Sequence, residues 1–267
     1  MLSIIIVSFN AGDDLDRCLR SLHVAPPAHS HETIVVDNGS RDESVAMARR
    51  WSGVHVIENS TNVGFAAATN IGIRASRGDL LLLLNSDTIV PAGTIDRLIA
   101  EIAAHPDVSV IGPRLVDELG RPELSFGPMI TPLAEWRQKR LRRNLAAVDR
   151  LTRVRRRPDW VSGACLLVRR TDAEAVGLLD ERFFLYTEDV DFCAAIRARG
   201  RHILFLPDTE VVHLRGRSRA SAPAAAGDAY RRSRMAFYQK HHPLWAPSLR
   251  LYLWLRRAIS SPRANRN

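Results

Sequence analysis

Residues 2–10 read LSIIIVSFN, and the apolar run inside this segment indicates the class of the fold. Apart from Ser3, the run up to Val7 is apolar without alternation, which predicts a strand covered on both faces of a sheet. The apolar residues from Leu15 to Leu22 then recur at helical spacing, after two acidic residues that favour a helix start. A buried strand that leads directly into an amphipathic helix is the unit from which parallel sheets are built.

The same alternation of strand and helix continues to residue 111. Further apolar runs predict strands over 33–36, 54–57, 80–84 and 108–111, with helical segments between them. Short connections between such elements predict an α/β fold: a mostly parallel, doubly wound sheet flanked by helices. Ligands of these sheets bind at the carboxyl ends of the strands, so the polar residues there are the candidates for a site.

The remaining elements are predicted from local signals. Capping-box spacing predicts helix starts at Ser40–Glu43 and at Thr171–Glu174, and Thr187 is expected to cap a later helix. The other predictions are a loop over 112–135, a basic helix over 136–151, a strand over 160–170, a strand over 203–206 and a flexible linker over 220–228.

Charge is concentrated in two segments of the 267-residue chain, whose formal net charge is +9. Residues 137–157 carry ten basic residues against Asp149, and residues 215–267 carry twelve against Asp228, so the rest of the chain is acidic. Such segments attract nucleic acid, an anionic membrane face or an acidic ligand. From 230 to 257 arginines alternate with aromatic residues, a composition typical of interfacial helices. A C-terminal helix packing an aromatic stripe on the body would have the same composition.

Several classes of protein are disfavoured. Three widely spaced cysteines argue against a disulfide framework or a zinc finger and for a reducing compartment. The N-terminus lacks the pattern of a signal peptide, and no apolar run reaches the length of a membrane span. We therefore expect a cytoplasmic protein that contacts the membrane at most peripherally. Neither GxGxxG after the first strand nor GxxxxGK[ST] occurs, which disfavours dinucleotide-binding and P-loop proteins.

Two acidic positions stand out on physical grounds. Asp37 ends a predicted strand, where its carboxylate can accept the imide N–H of uracil or thymine; the alternative is a simple Asx-turn into Asn38–Gly39. Glu188 and Asp189 open a helix directly after an aromatic patch that contains Phe184. The helix N-terminus favours the ionised carboxylate while apolar neighbours raise its pKa, and a general base needs both influences. By contrast, Asp191 is interpreted as an ordinary acidic residue of a first helical turn.

Six segments in a fixed order carry a resemblance to a known family. They are SIIIVSFNAGDDLDRCLRSL, TIVVDNGSRDES, ENSTNVGFAAATNIGI, GDLLLLLNSDTIV, FFLYTEDVDFC and VVHLRGRS. Together they resemble the family 2 glycosyltransferases with the GT-A fold, and within them the bacterial rhamnosyltransferase-like branch. The resemblance covers about residues 1–215. It implies a GT-A catalytic domain over 1–215, followed by a basic, aromatic-rich and mainly helical extension over 216–267.

The resemblance also implies roles for residues at the strand ends. Asp37 would hold the nucleotide base, with Ser8 and Asn10 against the nucleoside, while Gly64 would let backbone N–H groups approach the donor. Asn85–Ser86–Asp87 occupies the place of the family's Asp-x-Asp motif, whose carboxylates hold a divalent cation on the diphosphate. We expect Asp87 to bind Mg²⁺ or Mn²⁺ and Asn85 to bond the donor, since oxygen ligands suit these ions.

The remaining implied roles concern His213 and the acidic pair. A lone histidine is more often a hydrogen-bonded core residue, but in several family members a histidine at this point completes the metal site. Asp189 would deprotonate the acceptor hydroxyl, with Glu188 as its orienting or acceptor-contacting partner. Trp160 is expected to pack in the core, and Gly163 and Ala164 to face the acceptor.

The resemblance implies the function of a metal-dependent, inverting glycosyltransferase. It points to transfer of a hexosyl group, L-rhamnosyl from dTDP-L-rhamnose, to a hydroxyl of a cell-envelope glycan or polyprenyl-linked acceptor. The expected partners are the nucleotide sugar, this acceptor and an anionic membrane at the inner face of the cell membrane, with no nucleic acid. The alternatives are a nucleotide-sugar-binding protein without turnover and a nucleotidyltransferase, although the latter needs a Gly-rich phosphate loop where residues 8–14 are acidic.

Overall fold

The computed structural model describes residues 1–214 and 223–260, with side chains of the C-terminal part described over 227–255. The strands are β1 (Leu2–Ser8), β2 (His31–Asp37), β3 (Val54–Glu58), β4 (Leu80–Asn85), β5 (Thr88–Ile89), β6 (Val108–Val116), β7 (Phe126–Gly127), β8 (Trp160–Val161), β9 (Cys165–Arg169) and β10 (His202–His213). The helices are α1 (Gly12–Val24), α2 (Ser44–Arg49), α3 (Phe65–Ala75), α4 (Thr94–Ala104), α5 (Pro132–Leu141), α6 (Leu145–Thr152), α7 (Arg170–Ala175), α8 (Glu188–Ala198), α9 (Pro223–His241) and α10 (Ala246–Ser260), with a 3₁₀ turn at Pro243–Trp245.

Eight strands form the central sheet in the order β3-β2-β1-β4-β9-β6-β10-β5. All neighbours pair in parallel except where β9 lies between β4 and β6 and where β5 pairs with β10. The predicted mostly parallel α/β sheet is thus confirmed. Every residue of β1 is buried, as the unbroken apolar run predicts for a strand with helices on both faces.

Strand β9 lies between β4 and β6 and so joins the two parts of the central sheet. The segment predicted as one strand over 160–170 divides into β8, which pairs with β7, and β9, which runs antiparallel to β4 with Leu84 opposite Cys165. The turn between β8 and β9 therefore lies at the carboxyl end of β4. This position brings residues 162–164 to the edge of the sheet where the candidate site residues end their strands.

Local predictions fail where a tertiary contact replaces a local one. Helix α2 begins at Ser44 rather than at the Ser40–Glu43 capping box, and α7 begins at Arg170, ahead of the predicted box at Thr171. Ser40 does not cap α2, because its hydroxyl accepts a hydrogen bond from the Asn10 backbone N–H at 2.9 Å. Gly177 and Gly200 each lie two residues after the last residue of a helix, α7 and α8, and their φ values of 83° and 76° suit the left-handed end of a helix.

The middle of the chain is more ordered than its composition predicts. Within the predicted loop over 112–135, β6 extends to Val116, β7 forms, and α5 begins at Pro132. The predicted basic helix over 136–151 is instead two helices, because Asn144 breaks the segment and caps α6 by accepting from the Ala147 N–H at 3.0 Å.

The C-terminal part packs on the sheet domain. Helix α9 begins at Pro223, so the predicted flexible linker over 220–228 is wrong from residue 223, and its first three residues lie outside the described residues. Phe237 and Tyr238 are fully buried and share a hydrophobic cluster with Phe183 and Phe192. None of the helices in the described part of the chain combines the length and apolarity needed to cross a bilayer.

Candidate active site

Three predicted residues meet at the carboxyl edge of the sheet because their strands are neighbours. Ser8 pairs directly with Asp37 across β1 and β2, and Val7, one residue earlier, pairs with Asn85 of β4. In a parallel sheet, strands that end in register bring their last side chains to one edge. The structure therefore places Ser8, Asp37 and Asn85 together, as the order of the motifs predicts.

Asp37 combines the two roles that its sequence position allows. Its Oδ2 accepts from the Ser40 backbone N–H at 2.9 Å, which is the Asx-turn expected at this position. Its Oδ1 and the neighbouring Ser8 Oγ are buried and have no hydrogen-bond partner among the described residues. Since buried polar atoms are nearly always paired in native proteins, two unpaired ones at adjacent strand ends mark a ligand position.

Asn10 supports the turn next to this position. It is exposed, has a φ of 49°, and its side-chain Oδ1 accepts from the Arg41 N–H at 2.8 Å. Together with the bond from its own N–H to Ser40, this contact fixes the loop after β2 against the loop after β1. The described geometry thus gives Asn10 a loop-positioning contact, and its contact with a nucleoside stays a prediction.

Asn38 organises the loop after β3, a role that the sequence did not reveal. Its Oδ1 accepts from Val63 N–H at 3.0 Å and from Asn59 Nδ2 at 3.1 Å, while its Nδ2 donates to Asn62 Oδ1 at 3.0 Å. Asparagine has two donors and two acceptors in one small amide, so a single side chain can hold a whole loop. The signal in the sequence was the concentration of asparagines at 38, 59 and 62.

Gly64 serves a close contact within the protein. Its φ of 94° and ψ of 159° lie in a region that is essentially restricted to glycine. A Cβ at this position would lie 2.8 Å from atoms of Phe184, and the next residue, Phe65, donates its N–H to the Phe184 carbonyl at 2.7 Å. The absent side chain thus lets residue 184 approach helix α3. The predicted approach of a donor to Gly64 remains untested.

Asp87 and His213 come together although 126 positions separate them. Strand β5, which follows Asp87, pairs with the end of β10, so Thr88 lies opposite His213. His213 Nε2 lies 3.3 Å from Asp87 Oδ1, and its Nδ1 lies 3.3 Å from Glu123 Oε2. Glu123 is a site residue that the sequence analysis missed, because it lies in a Pro- and Gly-rich segment with no motif around it.

The two carboxylates control the protonation of His213. Burial alone would lower its pKa, but hydrogen bonds and charges of Asp87 and Glu123 outweigh burial and raise the pKa from 6.5 to about 9. Without a cation, the protonated ring therefore bridges the two acids. The described residues contain no group of three or more His, Cys, Asp or Glu side chains arranged for a metal. Asp87 Oδ1 and His213 Nε2 are the two predicted ligand atoms that the structure brings together and that could hold a cation.

The acidic pair lies at the start of α8 as predicted. Asp189 Oδ2 accepts from the Gly163 N–H at 2.9 Å, and Oδ1 accepts from the Val190 N–H at 2.8 Å. Burial raises the pKa of Asp189 despite these bonds and the nearby charge of Arg142. Burial, together with the Asp189 charge, also raises the pKa of Glu188 well above its ordinary value. Glu188 Oε2 is buried without a hydrogen-bond partner in the described structure.

The prediction that Thr187, the residue before this pair, caps α8 is wrong. Thr187 occupies the N-cap position, but its hydroxyl makes no capping bond with any described residue and is buried without a partner. Tyr186 and Thr187 both have positive φ, 73° and 66°. Consecutive left-handed residues other than glycine are strained and persist only where their surroundings hold them, which is common at functional sites.

Gly163 and Ala164 connect Asp189 to the Asn85–Ser86–Asp87 turn. The Ala164 carbonyl accepts from the Asn85 N–H at 3.0 Å, while the Gly163 N–H donates to Asp189. A Cβ on Gly163 would lie 3.3 Å from the Cβ of Asp189, which is tighter than ordinary contact. Two consecutive residues thus fix Asp189 relative to the Asn85–Ser86–Asp87 turn. Trp160 is buried in the core as expected, with its Nε1 donating to the Pro128 carbonyl at 2.9 Å.

Asp191 differs from its prediction as an ordinary acid of a first helical turn. It is only 2% exposed, and its carboxylate lies 2.9 Å from Lys240 Nζ and 2.6 Å from His241 Nε2 of helix α9. The interpretation failed because both partners come from a helix about 50 positions later in the chain, which no local pattern reveals.

Comparison with curated proteins finds relatives over most of the chain. The chain is 29% identical over 265 residues to an N-acetylglucosaminyl-diphospho-decaprenol L-rhamnosyltransferase of Mycobacterium tuberculosis, covering 92% of this chain and 86% of the relative. It is also 29% identical over 209 residues to a low-salt glycan biosynthesis hexosyltransferase of Haloferax volcanii, covering 76% of this chain and 62% of that protein.

Comparison with solved structures identifies the fold. A mannosyltransferase from Pyrobaculum calidifontis in complex with GDP-Man and Mn²⁺ aligns with a TM-score of 0.64 at 18% identity, over 95% of this chain and 69% of the other. GalNAc-T7 with UDP, GalNAc and Mn²⁺ aligns with a TM-score of 0.61 at 22% identity, over 80% of this chain and 43% of the other. These neighbours have the GT-A fold, which confirms the predicted fold class.

The family assignment rests on the sequence over the first part of the sheet domain. Residues 3–158 match the model of glycosyl transferase family 2, which includes the strand ends that carry Ser8, Asp37, Asn85 and Asp87. With relatives that include rhamnosyltransferases, this match confirms the predicted resemblance. The chain belongs to glycosyl transferase family 2, and it is rhamnosyltransferase-like in its similarity to the mycobacterial relative.

Proposed function

We propose that this glycosyltransferase moves a hexosyl group, L-rhamnosyl from dTDP-L-rhamnose, with inversion to a hydroxyl of a lipid-linked or cell-envelope glycan. The observation that carries the mechanism is the Gly163–Ala164 bridge, which fixes Asp189 relative to Asn85. An inverting glycosyltransferase must hold its base and the leaving diphosphate on opposite sides of the anomeric carbon, and such a bridge keeps their separation constant. The choice of sugar and acceptor is supported by the name of the mycobacterial relative.

The nucleotide is proposed to bind at the ends of β1 and β2. Asp37 Oδ1 and Ser8 Oγ are the acceptor atoms left unpaired there. The imide N–H of thymine or uracil would donate to the Asp37 carboxylate, a charge-assisted bond that compensates for burying the acid. Guanine offers two adjacent donors, which a carboxylate with both oxygens free would accept, and adenine has no imide. Asp37 Oδ2 already accepts from Ser40 N–H, so the remaining Oδ1 matches the single imide N–H of a pyrimidine.

The diphosphate is proposed to bind beside Asn85, with a divalent cation on Asp87 and His213. When bound, the cation offsets the negative charge that develops on the leaving nucleoside diphosphate. Glu123 would hold His213 through Nδ1, so that Nε2 faces Asp87. A carboxylate behind a histidine ligand fixes the tautomer and the direction of the ring. Asn85 lacks the charge of the usual first aspartate and would bond the donor.

Asp189 is proposed as the general base, with Glu188 beside it. Each Asp189 oxygen accepts one backbone N–H and retains a lone pair that can take the proton of the acceptor hydroxyl. The acceptor oxygen then attacks the anomeric carbon from the face opposite the nucleoside diphosphate, which leaves with the electrons of the glycosidic bond. Glu188 is buried and has a raised pKa, so its protonated form can donate a hydrogen bond to the acceptor.

A panel of nucleotide sugars tests the proposal. We expect dTDP-L-rhamnose with Mn²⁺ to raise the melting temperature more than UDP- or GDP-sugars do, because a bound ligand stabilises the folded state. Incubation with a polyprenyl-diphosphate-linked N-acetylglucosamine should then give a product of inverted anomeric configuration by NMR. Stabilisation without product would favour a nucleotide-sugar-binding protein, and release of diphosphate from a nucleoside triphosphate would favour a nucleotidyltransferase.

Peripheral contact with an anionic membrane at the cytoplasmic face is part of the same proposal. The aromatic residues of the C-terminal extension form a buried and an exposed group. Phe237 and Tyr238 of α9 are buried, whereas the aromatic residues of α10 and of the 3₁₀ turn are exposed. The exposed apolar residues there are Leu244, Trp245, Leu251, Tyr252, Trp254 and Leu255. A helix that is apolar on its outer face as well as its packed face needs a partner.

Charge and a second helix support a lipid surface as that partner. No acidic residue follows Asp228 in the sequence. Helix α5 packs beside α9, since Glu135 pairs with Arg234, and it exposes Leu133 and Trp136. Apolar and aromatic side chains accompanied by arginine are the composition that binds an anionic interface. In contrast, part of the basic segment after α6 pairs with acids of the sheet domain, for example Arg155 with Glu101.

Flotation with vesicles tests this contact. We expect the protein to float with phosphatidylglycerol vesicles at low salt and to dissociate as salt rises, because screening weakens the contribution of arginine. Leu251→Ser combined with Trp254→Ser should reduce flotation, whereas Leu119→Ser, at an exposed leucine of the β6–β7 connection, should not. Point variants suit this test because deletion of the extension would also remove Phe237 and Tyr238 from the core. Equal flotation of all variants, or no flotation at low salt, would contradict the proposed contact.

A further inference from the structure

Residues 180–187, called the entry loop below, lead directly into the acidic pair of α8. Phe183 is fully buried, and the loop ends in the two residues with positive φ, Tyr186 and Thr187. A backbone in this conformation relaxes unless contacts on both sides prevent it. The position of Asp189 therefore depends on what holds the entry loop.

One side of the loop is held by helix α3. The Phe65 N–H donates to the Phe184 carbonyl at 2.7 Å, and Phe184 fills the space that Gly64 leaves open. One residue before the loop, Leu179 is bound at both backbone groups by Asn70: Nδ2 donates to its carbonyl at 2.8 Å, and Oδ1 accepts from its N–H at 3.1 Å. These contacts join the loop to the helix that follows the Asn59–Gly64 segment.

The other side of the loop is held by helix α9. The Ser233 hydroxyl donates to the Leu185 carbonyl at 2.7 Å. Lys240 Nζ donates to Asp180 Oδ2 at 2.8 Å and lies 6.0 Å from the centre of the Phe183 ring. Helix α9 thus contacts the entry loop at its beginning, its middle and near its end.

Helix α9 also binds α8 next to the proposed base. Lys240 donates a second bond, at 2.9 Å, to Asp191, whose other oxygen lies 2.6 Å from His241 Nε2. Asp191 is buried, and a buried carboxylate is stable only while its partners remain, so loss of one partner displaces the group or the helix. Lys240 therefore connects both ends of the segment from Asp180 to Asp191 that contains Asp189.

We propose that Lys240 and His241 of helix α9 are positioning residues for transfer, which hold Asp189 in place through Asp191 and the entry loop. The inference rests on the proposed function, because it gives α9 a role in acceptor activation by Asp189. It differs from a role in stability alone, since it requires the effect to fall on transfer and not on the donor. It also makes the extension necessary for chemistry apart from any contact with a membrane.

The test compares Lys240→Met, which keeps the aliphatic stem, with Lys240→Arg, which keeps the charge. The matched control is Arg231→Gln, because Arg231 lies exposed on the same helix and its ion pair within the described residues is with Asp228, three positions away. We expect Lys240→Met to lower kcat for transfer by about 10-fold, since displacement of a catalytic group by a fraction of an ångström has effects of this order. KM for the donor should stay unchanged, and amide hydrogen exchange over 180–191 should become faster. Lys240→Arg should recover most of kcat, and Arg231→Gln should resemble the wild type.

The inference would be overturned by any of the following results. Normal kcat in Lys240→Met, or kcat and donor KM changing together, would leave α9 with a general structural role. An arginine variant as slow as the methionine variant would reject the ion pairs as the cause. If the wild-type protein transfers no sugar from any donor, the proposed function itself fails. Faster exchange over 180–191 in Lys240→Met would then show a contact without catalytic meaning, which also overturns the inference.

Discussion

The donor side and the acceptor side of the site are held together in different ways. On the donor side, the loops after β1, β2 and β3 are fixed by asparagine and serine side chains within residues 8–64, with Asn38 at the centre. On the acceptor side, Asp189 is held by Gly163, and the segment around it by α3 and α9, which lie far away in sequence. The loops of the donor side are thus fixed by residues near one another in the sequence, whereas the Asp87–His213 pair and the whole acceptor side depend on the completed tertiary structure.

The largest effect that separates the two sides is expected from Asp189→Asn. The amide keeps the shape of the side chain but cannot accept a proton, so transfer should fall by about 10²-fold or more, the usual scale for loss of a general base. Donor affinity, measured by titration calorimetry, should be retained because the proposed nucleotide contacts lie at Asp37 and Asp87. Asp208→Asn, at an exposed acid that pairs with Arg97, serves as the control. Near-normal transfer by Asp189→Asn would remove this residue from the role of base.

Gly64→Ala disturbs the contact between the Asn59–Gly64 loop of the donor side and Phe184 of the entry loop. The backbone there is essentially restricted to glycine, and the new Cβ would lie 2.8 Å from Phe184. We expect a loss of about 1–3 kcal/mol in the free energy of unfolding, the scale of backbone strain, measured by urea denaturation. Gly53→Ala is the matched control: its φ is also positive, at 79°, but no atom lies within 4 Å of the added Cβ. Equal losses in both variants would show that the contact with Phe184 adds nothing.

Glu123→Ala tests the proposed cation position on the donor side. Removing the carboxylate behind His213 should weaken Mn²⁺ binding by about 10-fold, the lower end of the effects seen when such partners are lost. Manganese affinity can be measured directly by electron paramagnetic resonance of the free ion, without a turnover assay. Glu118→Ala, at an exposed acid of the same connection, is the control. Unchanged affinity in Glu123→Ala, or full activity after complete removal of metal by EDTA, would contradict the proposed cation site.

The smallest expected effect is a displacement of the acid limb of the pH profile. Burial raises the pKa of Asp189 above its ordinary value of 3.8 and also raises that of Glu188. A base must be deprotonated, so kcat for transfer should fall when the Glu188–Asp189 pair, which already holds one proton on Glu188, takes up its second proton as the pH decreases. The midpoint of the limb should therefore lie above 3.8 and belongs to the pair, because the two acids interact. A midpoint at or below 3.8 would indicate that the acid responsible is solvent-exposed.

The sequence predicted those parts of the site whose geometry follows from a single strand end or helix start. Asp37, Asn85 and the Glu188–Asp189 pair lie where the alternation of strand and helix places them. The predictions that failed concern side chains whose partners are distant. Ser40 bonds Asn10 instead of capping α2, and Asp191, interpreted as an ordinary acid of a first helical turn, is buried against α9.

The sequence by itself determined the α/β class, the order of the strands along the chain and the edge of the sheet that carries the site. These properties depend on hydrophobic periodicity and on the short reach of turns, which are local. Only the tertiary structure decided that β9 enters the sheet between β4 and β6, that Glu123 stands behind His213 and that α9 holds the entry loop. Such contacts join residues from 48 to 90 positions apart, and their formation depends on the packing of whole elements rather than on any local sequence pattern.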